Sequence, residues 1–246
     1  MHSLAPCLNA ALEVKSAHGQ SRANALAQQS SLVVCHAPAC ACPIAVAFCA
    51  LHADGRYCEN HFLSFLKQLP TVASVRTEYI AKLDDNSATV TCMHGKGECA
   101  GNKLQLCLQA HLPADKNIDW YLDILKCHSQ GDVTEPKEMK TCMTLSGVAA
   151  DAQEKVLACA SGPEGDQLLV QSAKVVKERD VKKSCTVYIA GKRRCIRDGG
   201  RWYDCPGGSS AGAFMKQICD AHKASSGSAA PECAAAVAAN PSTPEH

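Results

Sequence analysis

Cysteine content constrains this chain more than any other feature, since seventeen of its 246 residues, about 7%, are cysteines. Disulfides persist in oxidising compartments and are rare where thiols are kept reduced. A chain this rich in cysteine is therefore expected in the secretory pathway, in a lysosomal or endosomal lumen, or outside the cell. The odd count leaves at least one thiol free or paired between chains if all the others pair.

Zinc coordination is the alternative use of so many cysteines. Zinc sites usually show two close pairs of ligands, with two or more residues between the members of each pair. The only close pair here is Cys40 and Cys42, and a single intervening residue is poor spacing for a zinc knuckle. We predict no metal site and no cofactor.

Length and charge narrow the class of protein further. The chain is long enough for one large domain or two small ones, and 46% of its residues are hydrophobic. The formal net charge is +1 and the basic residues form no long run, so the electrostatic footprint of a nucleic-acid binder is absent. We predict a protein or peptide partner and no nucleic acid.

The first part of the chain has no clear signal peptide. Such a peptide needs a basic start and then an apolar run of roughly 7–15 residues, whereas this opening is alanine-rich and polar. Residues 23–53 contain no Asp, Glu, Lys or Arg, but prolines and histidines inside them argue against a membrane-spanning helix. We predict a poorly patterned N-terminal extension over residues 1–42 and no membrane span.

Hydrophobic periodicity predicts a strand–helix–strand unit after this extension. Ile44–Leu51 is a short, continuous apolar run, as expected of a strand buried on both faces. Cys58–Leu69 has apolar residues at helical spacing and ends at Pro70, and Val72–Leu83 alternates like a second strand. The unit is expected to have a right-handed crossover.

A helical middle section and a short closing unit follow. Gly, Pro or polar breaks bound five predicted helices, at about residues 98–111, 117–127, 135–145, 151–160 and 165–179. Residues 186–192 are predicted to be a strand that runs into a turn, and residues 212–222 a final helix. The Ala/Ser/Pro-rich tail, residues 224–246, is predicted to be mobile except where Cys233 pins its first part.

The segment from Cys92 to Cys107 is the most informative stretch, and it reads C-M-H-G-K-G-E-C-A-G-N-K-L-Q-L-C. Gly95 and Gly97 permit a tight turn before a helix that begins near Glu98, where a carboxylate suits the helix dipole. We interpret His94 and Glu98 as side chains that hold this loop rather than as catalytic groups.

The two cysteines of this predicted helix are expected to form separate bridges. Cys99 and Cys107 share one helical face two turns apart. That separation is about 12 Å at 1.5 Å per residue, too far for a disulfide between them. Each should pair with a cysteine elsewhere.

The same segment resembles the signature of the gamma-interferon-inducible lysosomal thiol reductase (GILT) family, C-Q-H-G-x2-E-C-x2-N-x4-C. Only the Gln position departs, and it is Met93 here. Three cysteines with His, Gly, Glu and Asn at the right offsets make the match specific. The matching residues are Cys92, His94, Gly95, Glu98, Cys99, Asn102 and Cys107.

The resemblance covers about residues 43–233 and implies a fold. It implies an α/β protein with a thioredoxin-like sheet over residues 43–223, which carries an all-helical, disulfide-stapled insertion at about residues 97–180. It also implies an ancestral activity, the reduction of protein disulfides by thiol–disulfide exchange. Further cysteines recur at family-like spacing and are expected to be structural: Cys127, Cys142, Cys159, Cys219 and Cys233.

The C-x-x-C of the family is incomplete in this chain. In the family, the first cysteine attacks a substrate disulfide as a thiolate of depressed pKa, and the second resolves the mixed disulfide. Cys58 stands where the second cysteine should be, directly before the predicted helix, while the first position is Gly55, or His52 if the gap is placed differently. Cys49 and Cys58 as a redox couple is the alternative, but their separation does not reproduce the compact redox turn.

A second departure lies before the predicted strand at residues 186–192. Thioredoxin-like folds normally place a cis-proline there, facing the active-site cysteines, and the matching residue is Cys185. Without proline a cis bond costs roughly 2.5–4 kcal/mol, so we expect a trans bond and an altered substrate groove. We hypothesise that Cys58 and Cys185 face one another and form a static disulfide across the former active site.

The third departure is an insertion at residues 193–206, R-R-C-I-R-D-G-G-R-W-Y-D-C-P. Its D-G-G sequence is a hairpin-turn signal, and Cys195 and Cys205 are placed to staple the ends of the hairpin. Four arginines with Trp202 and Tyr203 offer a recognition surface. An ordinary solvated hairpin with one ring packed on the core is the preferred interpretation.

Three functional hypotheses remain. The first is an active thiol reductase that uses Cys58, with Cys185 as a possible partner. The second is a catalytically silent family member that binds proteins through the old groove or the hairpin, and the third is a structural subunit of a larger assembly. Since two-thiol reduction needs two cysteines that can cycle within bonding distance, we favour a non-catalytic role.

Overall fold

The computed structural model describes residues 42–48, 51–84, 86, 89–111 and 118–240, and for residues 42–48 and 61–62 it describes the backbone alone. Ala37–His246 forms one compact unit. The predicted extension up to residue 41, including Cys40, lies outside the described residues, and so does Cys49.

Seven strands and eight α-helices make up the described part of the chain. The strands are β1 (Cys42–Phe48), β2 (Ala73–Tyr79), β3 (Ala81–Leu83), β4 (Val90–Cys92), β5 (Thr186–Ile189), β6 (Lys192–Asp198) and β7 (Arg201–Tyr203). The helices are α1 (Ala53–Tyr57), α2 (Lys96–Ala110), α3 (Ile118–Gln130), α4 (Pro136–Leu145), α5 (Ala150–Ser161), α6 (Pro163–Glu178), α7 (Ala211–Ser226) and α8 (Pro231–Ala239). A π-helical turn (Cys58–Phe62) and a 3-10 helix (Leu63–Gln68) continue α1.

The main sheet has the strand order β2-β1-β5-β6-β7. Strand β1 pairs parallel with β2, across a helical connection, and antiparallel with β5 on its other side. Strands β5 and β6 then pair antiparallel and lead through β7 to α7. A βαβ unit joined in one sheet to a ββα unit in this order is a thioredoxin-like fold, so the predicted fold class is confirmed.

The helical insertion is confirmed and runs from α2 to α6, between β4 and β5. Three of the α-helices of the chain (α4, α6 and α8) begin with proline, whose fixed φ and missing N–H suit the first helical turn. The predicted helices at 135–145 and 165–179 therefore begin within two residues of the expected positions. The insertion packs against the sheet as one continuous core with it.

Every cysteine from Cys58 to Cys233 belongs to one of six disulfides. The pairs are Cys58–Cys185, Cys92–Cys99, Cys107–Cys159, Cys127–Cys142, Cys195–Cys205 and Cys219–Cys233. Cys99 and Cys107 thus bridge to different partners, as their separation along one helix requires. Two of the bridges lie within the insertion and tie α2 to α5 and α3 to α4.

The predicted second strand, Val72–Leu83, is divided in the structure. Its first part is β2, and after a break at Ile80 its second part is β3, which pairs antiparallel with β4 in a separate two-stranded sheet. Ile80 is buried in a small second core with Val176, Val181 and Tyr188, so packing against α6 ends the first strand there. The alternating pattern continues through the break and did not reveal it.

The tail predicted to be mobile from residue 224 is largely helical. Helix α7 extends to Ser226, where Gly227 adopts φ 77° and ends it in the left-handed conformation that glycine allows. Helix α8 follows, with Cys233 bonded to Cys219. The carboxylate of Glu232 accepts hydrogen bonds from Thr71 and from the backbone N–H of Val72. These tertiary contacts order a segment whose composition alone indicated mobility.

Candidate functional site

The end of the sheet where a thioredoxin-like protein carries its redox cysteines is closed by a disulfide between Cys58 and Cys185. Their Cα atoms are 6.2 Å apart, and both residues are 0% exposed. Cys185 adopts φ 55°, a left-handed conformation that costs a non-glycine residue on the order of 1–3 kcal/mol. No peptide bond within the described residues is cis, so the residue at the former cis-proline position follows a trans bond.

Cys58 lies inside a helical stretch, and the prediction that it directly precedes the helix was wrong. Helix α1 begins at Ala53, because the Nδ1 atom of His52 accepts a hydrogen bond from the backbone N–H of Asp54 at 3.2 Å and caps the helix. Cys58 follows more than one turn later, away from the N-terminal dipole that would favour a thiolate. Gly55 and His52, the two candidates for the first catalytic position, occupy the first turn and the cap.

A buried carboxylate attaches the inserted hairpin to this helix. Asp54 is 3% exposed, and its two oxygens accept hydrogen bonds from the backbone N–H groups of Gly199 at 2.9 Å and Gly200 at 3.1 Å. The Nε atom of Arg197 lies 3.2 Å from the same carboxylate. The turn of the β6–β7 hairpin therefore sits on the first turn of α1, beside the former active site.

Arg197 closes the site from the hairpin side. Its guanidinium carbon lies 3.4 Å from the ring centroid of Tyr57 and 5.6 Å from that of Trp202. Its backbone N–H donates to the carbonyl oxygen of Cys185 at 3.0 Å. The Trp202 ring in turn packs on Phe214 of α7, with 5.5 Å between the centroids. Arg197 therefore connects the loop of the buried disulfide, through its backbone, with Tyr57 and Trp202, through its side chain.

The predicted hairpin forms, and Cys195 and Cys205 are bonded to each other with Cα atoms 4.3 Å apart. The expectation that one ring packs on the core is met by Trp202, and a recognition role for the hairpin stays a prediction. Trp202 is the ring that packs on the core, whereas Tyr203 is 48% exposed. The alternation of side chains along a strand separates these neighbours onto opposite faces.

Sequence reasoning missed a buried carboxylate beside the disulfide. Glu59 is 1% exposed, and burial raises its pKa from 4.5 to about 8, an effect that the neighbouring amide of Gln105 and the charge of Arg56 oppose. The one available signal was an acidic residue next to Cys58 in a mostly apolar helical segment. A charged residue inside such an apolar segment indicates a buried ionisable group.

Glu59 borders a buried polar cluster between the sheet and the insertion. The side-chain oxygen of Gln105 accepts a hydrogen bond from the Tyr79 hydroxyl, and its Nε2 atom lies 3.2 Å from Nδ1 of His128. Burial lowers the pKa of His128 to about 4 and raises the pKa of Tyr79. These buried side chains form a polar cluster within the core.

The signature segment holds the start of α2. The backbone N–H of His94 donates to the carboxylate of Glu98 at 2.9 Å, and its Nδ1 atom lies 3.1 Å from the other oxygen. Gly95 adopts φ 85° at the helix N-cap, and Cys92 is bonded to Cys99 across the turn. The Nδ2 atom of Asn102 lies 3.7 Å from the sulfur of Cys92. The matched residues from Cys92 to Asn102 therefore form a local bonded loop, whereas Cys107 bridges to Cys159 of α5.

One group of potential metal ligands occurs within the described residues, at His111, Cys159 and Glu164. Cys159 is bonded to Cys107 and offers no thiolate, which is the form that binds metal. His111 and Glu164 contact each other at 3.0 Å. The group as it stands lacks the ligand set of a metal site.

Across the described residues, none of the helices combines the length and apolar character that crossing a membrane requires. The disulfide content is in keeping with an oxidising compartment such as the secretory pathway.

Topology and site together define a class: a thioredoxin-like protein whose redox position is closed by a disulfide between the first helix and the loop before β5. The family model of gamma interferon inducible lysosomal thiol reductase matches residues 43–146. A gamma-interferon-inducible lysosomal thiol reductase-like protein of Anopheles gambiae is 31% identical over 94 residues, which cover 36% of this chain and 39% of that protein. Residues 43–146 of the chain are thus similar to this family of thiol reductases.

The chain spans about two fifths of the length of this curated relative. Among solved structures, it is similar to reduced DsbA from Mycobacterium tuberculosis, with a TM-score of 0.49 and 15% identity over 80% of this chain and 88% of that one. It is also similar to reduced DsbA1 from Neisseria meningitidis, with a TM-score of 0.49 and 14% identity over 84% and 93% of the two chains.

Proposed function

We propose that this chain is a thiol-reductase-like protein of the secretory pathway that does not reduce disulfides and instead serves as a rigid module that binds other proteins. The observation that carries this proposal is the Cys58–Cys185 disulfide, in which both residues are 0% exposed. The family match supports a thiol–disulfide oxidoreductase ancestry, in a lysosomal or endosomal lumen or outside the cell.

Thiol–disulfide exchange requires that a thiolate reach one sulfur of a disulfide along the S–S axis. In this structure both cysteines of the disulfide are 0% exposed, and the backbone N–H of Arg197 is bonded to the carbonyl oxygen of Cys185. An external substrate has no exposed sulfur to react with at this site. The first position of the family motif, Gly55, supplies no thiol to start the reaction.

A reductase in which Cys58 and Cys185 themselves form the redox pair is the second candidate. Their position within bonding distance, at the end of the sheet that carries the redox cysteines in related folds, favours it. In that reaction the Cys58–Cys185 dithiol would transfer two electrons to a substrate disulfide. The products would be the disulfide seen here and two substrate thiols, and an external thiol would then regenerate the dithiol. The burial of both sulfurs and the hairpin contacts oppose this cycle.

An insulin-reduction assay with glutathione as the reductant, at acidic and neutral pH, separates the two candidates. We expect the wild-type chain to reduce insulin no faster than the uncatalysed background. Peptide mapping with alkylation should show Cys58 still bonded to Cys185 after the incubation. A structural disulfide far from the site, Cys219–Cys233, supplies the matched control.

Turnover by the wild type that disappears in Cys58→Ser but persists in the Cys219→Ser/Cys233→Ser variant would overturn the proposal and establish the redox pair. Equal turnover in all three proteins would also contradict the proposal, because it would place the activity at another cysteine.

A further inference from the structure

The β6–β7 hairpin presents different side chains on its two faces. Register pairs Arg197 with Trp202, and both face the core through Tyr57 and Phe214. Since successive side chains of a strand point to opposite faces, Arg201 and Tyr203 lie on the other face. The electrostatic influence of Tyr203 on Lys183, whose pKa is raised chiefly by its hydrogen bond to Asp198, agrees with this placement. The hairpin thus has an inner face that closes the old site and an outer face.

The outer face carries positive charge that the described part of the chain does not neutralise. Its two acidic neighbours are engaged, Asp54 with Arg197 and Asp198 with Lys183. The exposed residue Asp204 follows at the end of β7. Two exposed cations of this face, Arg193 and Arg201, outnumber it, and neither is in an ion pair within the described residues. Register sets Arg193 opposite Tyr188, on the side of the sheet that carries α6.

Strand β7 is the edge of the sheet, because no strand pairs with it on the side away from β6 in the described structure. An edge strand presents backbone N–H and C=O groups to which an extended peptide can add. The exposed ring of Tyr203 beside this edge supplies apolar contact area. The edge therefore combines backbone pairing groups and an aromatic ring with the two arginines of the outer face.

The hairpin is also held rigidly. The Cys195–Cys205 disulfide ties its two strands, and the Asp54 carboxylate fixes its turn. A preformed surface loses little conformational entropy on binding, which favours affinity. A solvated hairpin without a partner would gain only stability from these two attachments.

We infer that the outer face of this hairpin, defined by Arg193, Arg201, Tyr203 and the free edge of β7, docks an extended acidic segment of another protein. This inference rests on the proposed binding role and names its surface and partner class. Charge complementarity selects an acidic partner. Pairing along β7 is open to a polypeptide and not to a nucleic acid, and the net charge of +1 provides little long-range attraction for a polyanion.

The test uses the full chain and a fluorescein-labelled peptide of alternating Glu and Val, followed by fluorescence anisotropy. A peptide of alternating Lys and Val is the ligand control. We expect saturable binding of the Glu–Val peptide, and an affinity that falls at least about tenfold in Arg193→Glu/Arg201→Glu, or about 1.4 kcal/mol. The variant Lys137→Glu/Lys155→Glu reverses two exposed charges on α4 and α5, and it should bind within about twofold of the wild type.

A second variant, Arg193→Gln/Arg201→Gln, removes the charges without reversing them and should give an intermediate affinity if the reversed variant folds poorly. No saturable binding of the Glu–Val peptide by the wild type would overturn the inference. Equal weakening in the hairpin and control variants would overturn it too, as would more effective competition by a single-stranded oligonucleotide than by the unlabelled peptide.

The insulin assay on the same preparation keeps the two proposals distinguishable. A chain that binds the acidic peptide and also reduces insulin would refute the non-catalytic role while the docking surface stands. A chain that does neither would refute the docking surface and leave the loss of catalysis in place.

Discussion

Replacing Asp54 by alanine is expected to lower the free energy of unfolding by about 3–5 kcal/mol, because the change leaves a mostly buried arginine without its counter-charge. The side chain of Arg197 is 13% exposed and that of Asp54 is 5% exposed, so solvent replaces little of the lost interaction. The backbone N–H groups of Gly199 and Gly200 also lose their acceptors. Urea denaturation with the disulfides intact measures the change.

Two further variants define what the Asp54 result means. Asp54→Asn keeps an oxygen acceptor for one of the turn N–H groups and removes the charge. We therefore expect its free energy of unfolding to lie between those of the wild type and Asp54→Ala. Asp220→Ala removes an exposed, helix-surface partner of Lys216 and should cost less than about 1 kcal/mol. If Asp54→Ala and Asp220→Ala were equally stable, the hairpin would not be anchored by the buried carboxylate.

The stability of the fold is expected to be greatest at mildly acidic pH and to decline above about pH 6.5. The pKa of Glu59 is raised by burial from 4.5 to about 8. As the pH rises through this window the unfolded chain loses a proton that the folded chain retains, so stability falls by up to about 1.4 kcal/mol per pH unit. The stabilising contribution of protonated Glu59 is therefore fully present below pH 4.5 and is lost by about pH 8.

The ionisation of His128 changes stability with pH in the direction opposite to that of Glu59. Burial lowers its pKa from 6.5 to about 4, and its Nε2 atom has no hydrogen-bond partner among the described residues. The contribution of His128 is therefore present above 6.5 and is lost as the pH falls towards 4. Between pH 4.5 and pH 6.5, Glu59 and His128 change the free energy of unfolding in opposite directions, and the two changes nearly cancel. Above 6.5 only the slope from Glu59 remains, and it predicts a loss of about 2 kcal/mol by pH 8.

Glu59→Gln tests this account, since glutamine cannot ionise. We expect the variant to lose the decline between pH 6.5 and 8, as measured by urea denaturation midpoints across the pH range. Glu154→Gln, at an exposed partner of Lys140, should keep the wild-type profile and serves as the control. Superimposable profiles for Glu59→Gln and the wild type would show that Glu59 ionises without cost in the folded state. The comparison between variants isolates Glu59 because all other titrating groups are common to them.

A maximum in mildly acidic conditions bears on where the protein works. A buried carboxyl that must stay protonated is tolerated at the pH of an acidic lumen and penalised at neutral pH. The expected profile therefore supports the lysosomal or endosomal option within the proposed location. A flat profile would remove that support without affecting the proposed loss of catalysis.

Local patterns in the sequence determined much of the architecture. Hydrophobic periodicity and breaking residues predicted the five helices of the insertion, because each helix carries its own apolar stripe and its own start and stop residues. The D-G-G turn with flanking cysteines predicted the stapled hairpin, and the Cys92–Cys107 segment supplied the family resemblance. Each of these features depends on residues that are near one another along the chain.

Two features depended on the tertiary structure. Asp54 holds a turn that lies far along the chain, and no local pattern marks it as an anchor. Glu59 is buried because the insertion helices pack over it, which raises its pKa.

The disulfide between Cys58 and Cys185 shows where the division between sequence and structure falls. Cysteine positions and the resemblance were enough to raise the hypothesis that these two residues face each other. The burial of both cysteines, which decides whether a substrate can reach their sulfurs, became known only from the packed structure. The sequence by itself determined which elements form and which cysteines are present. The access of solvent and substrate to them was decided by long-range packing, because burial and charge pairing are properties of residues distant in the chain.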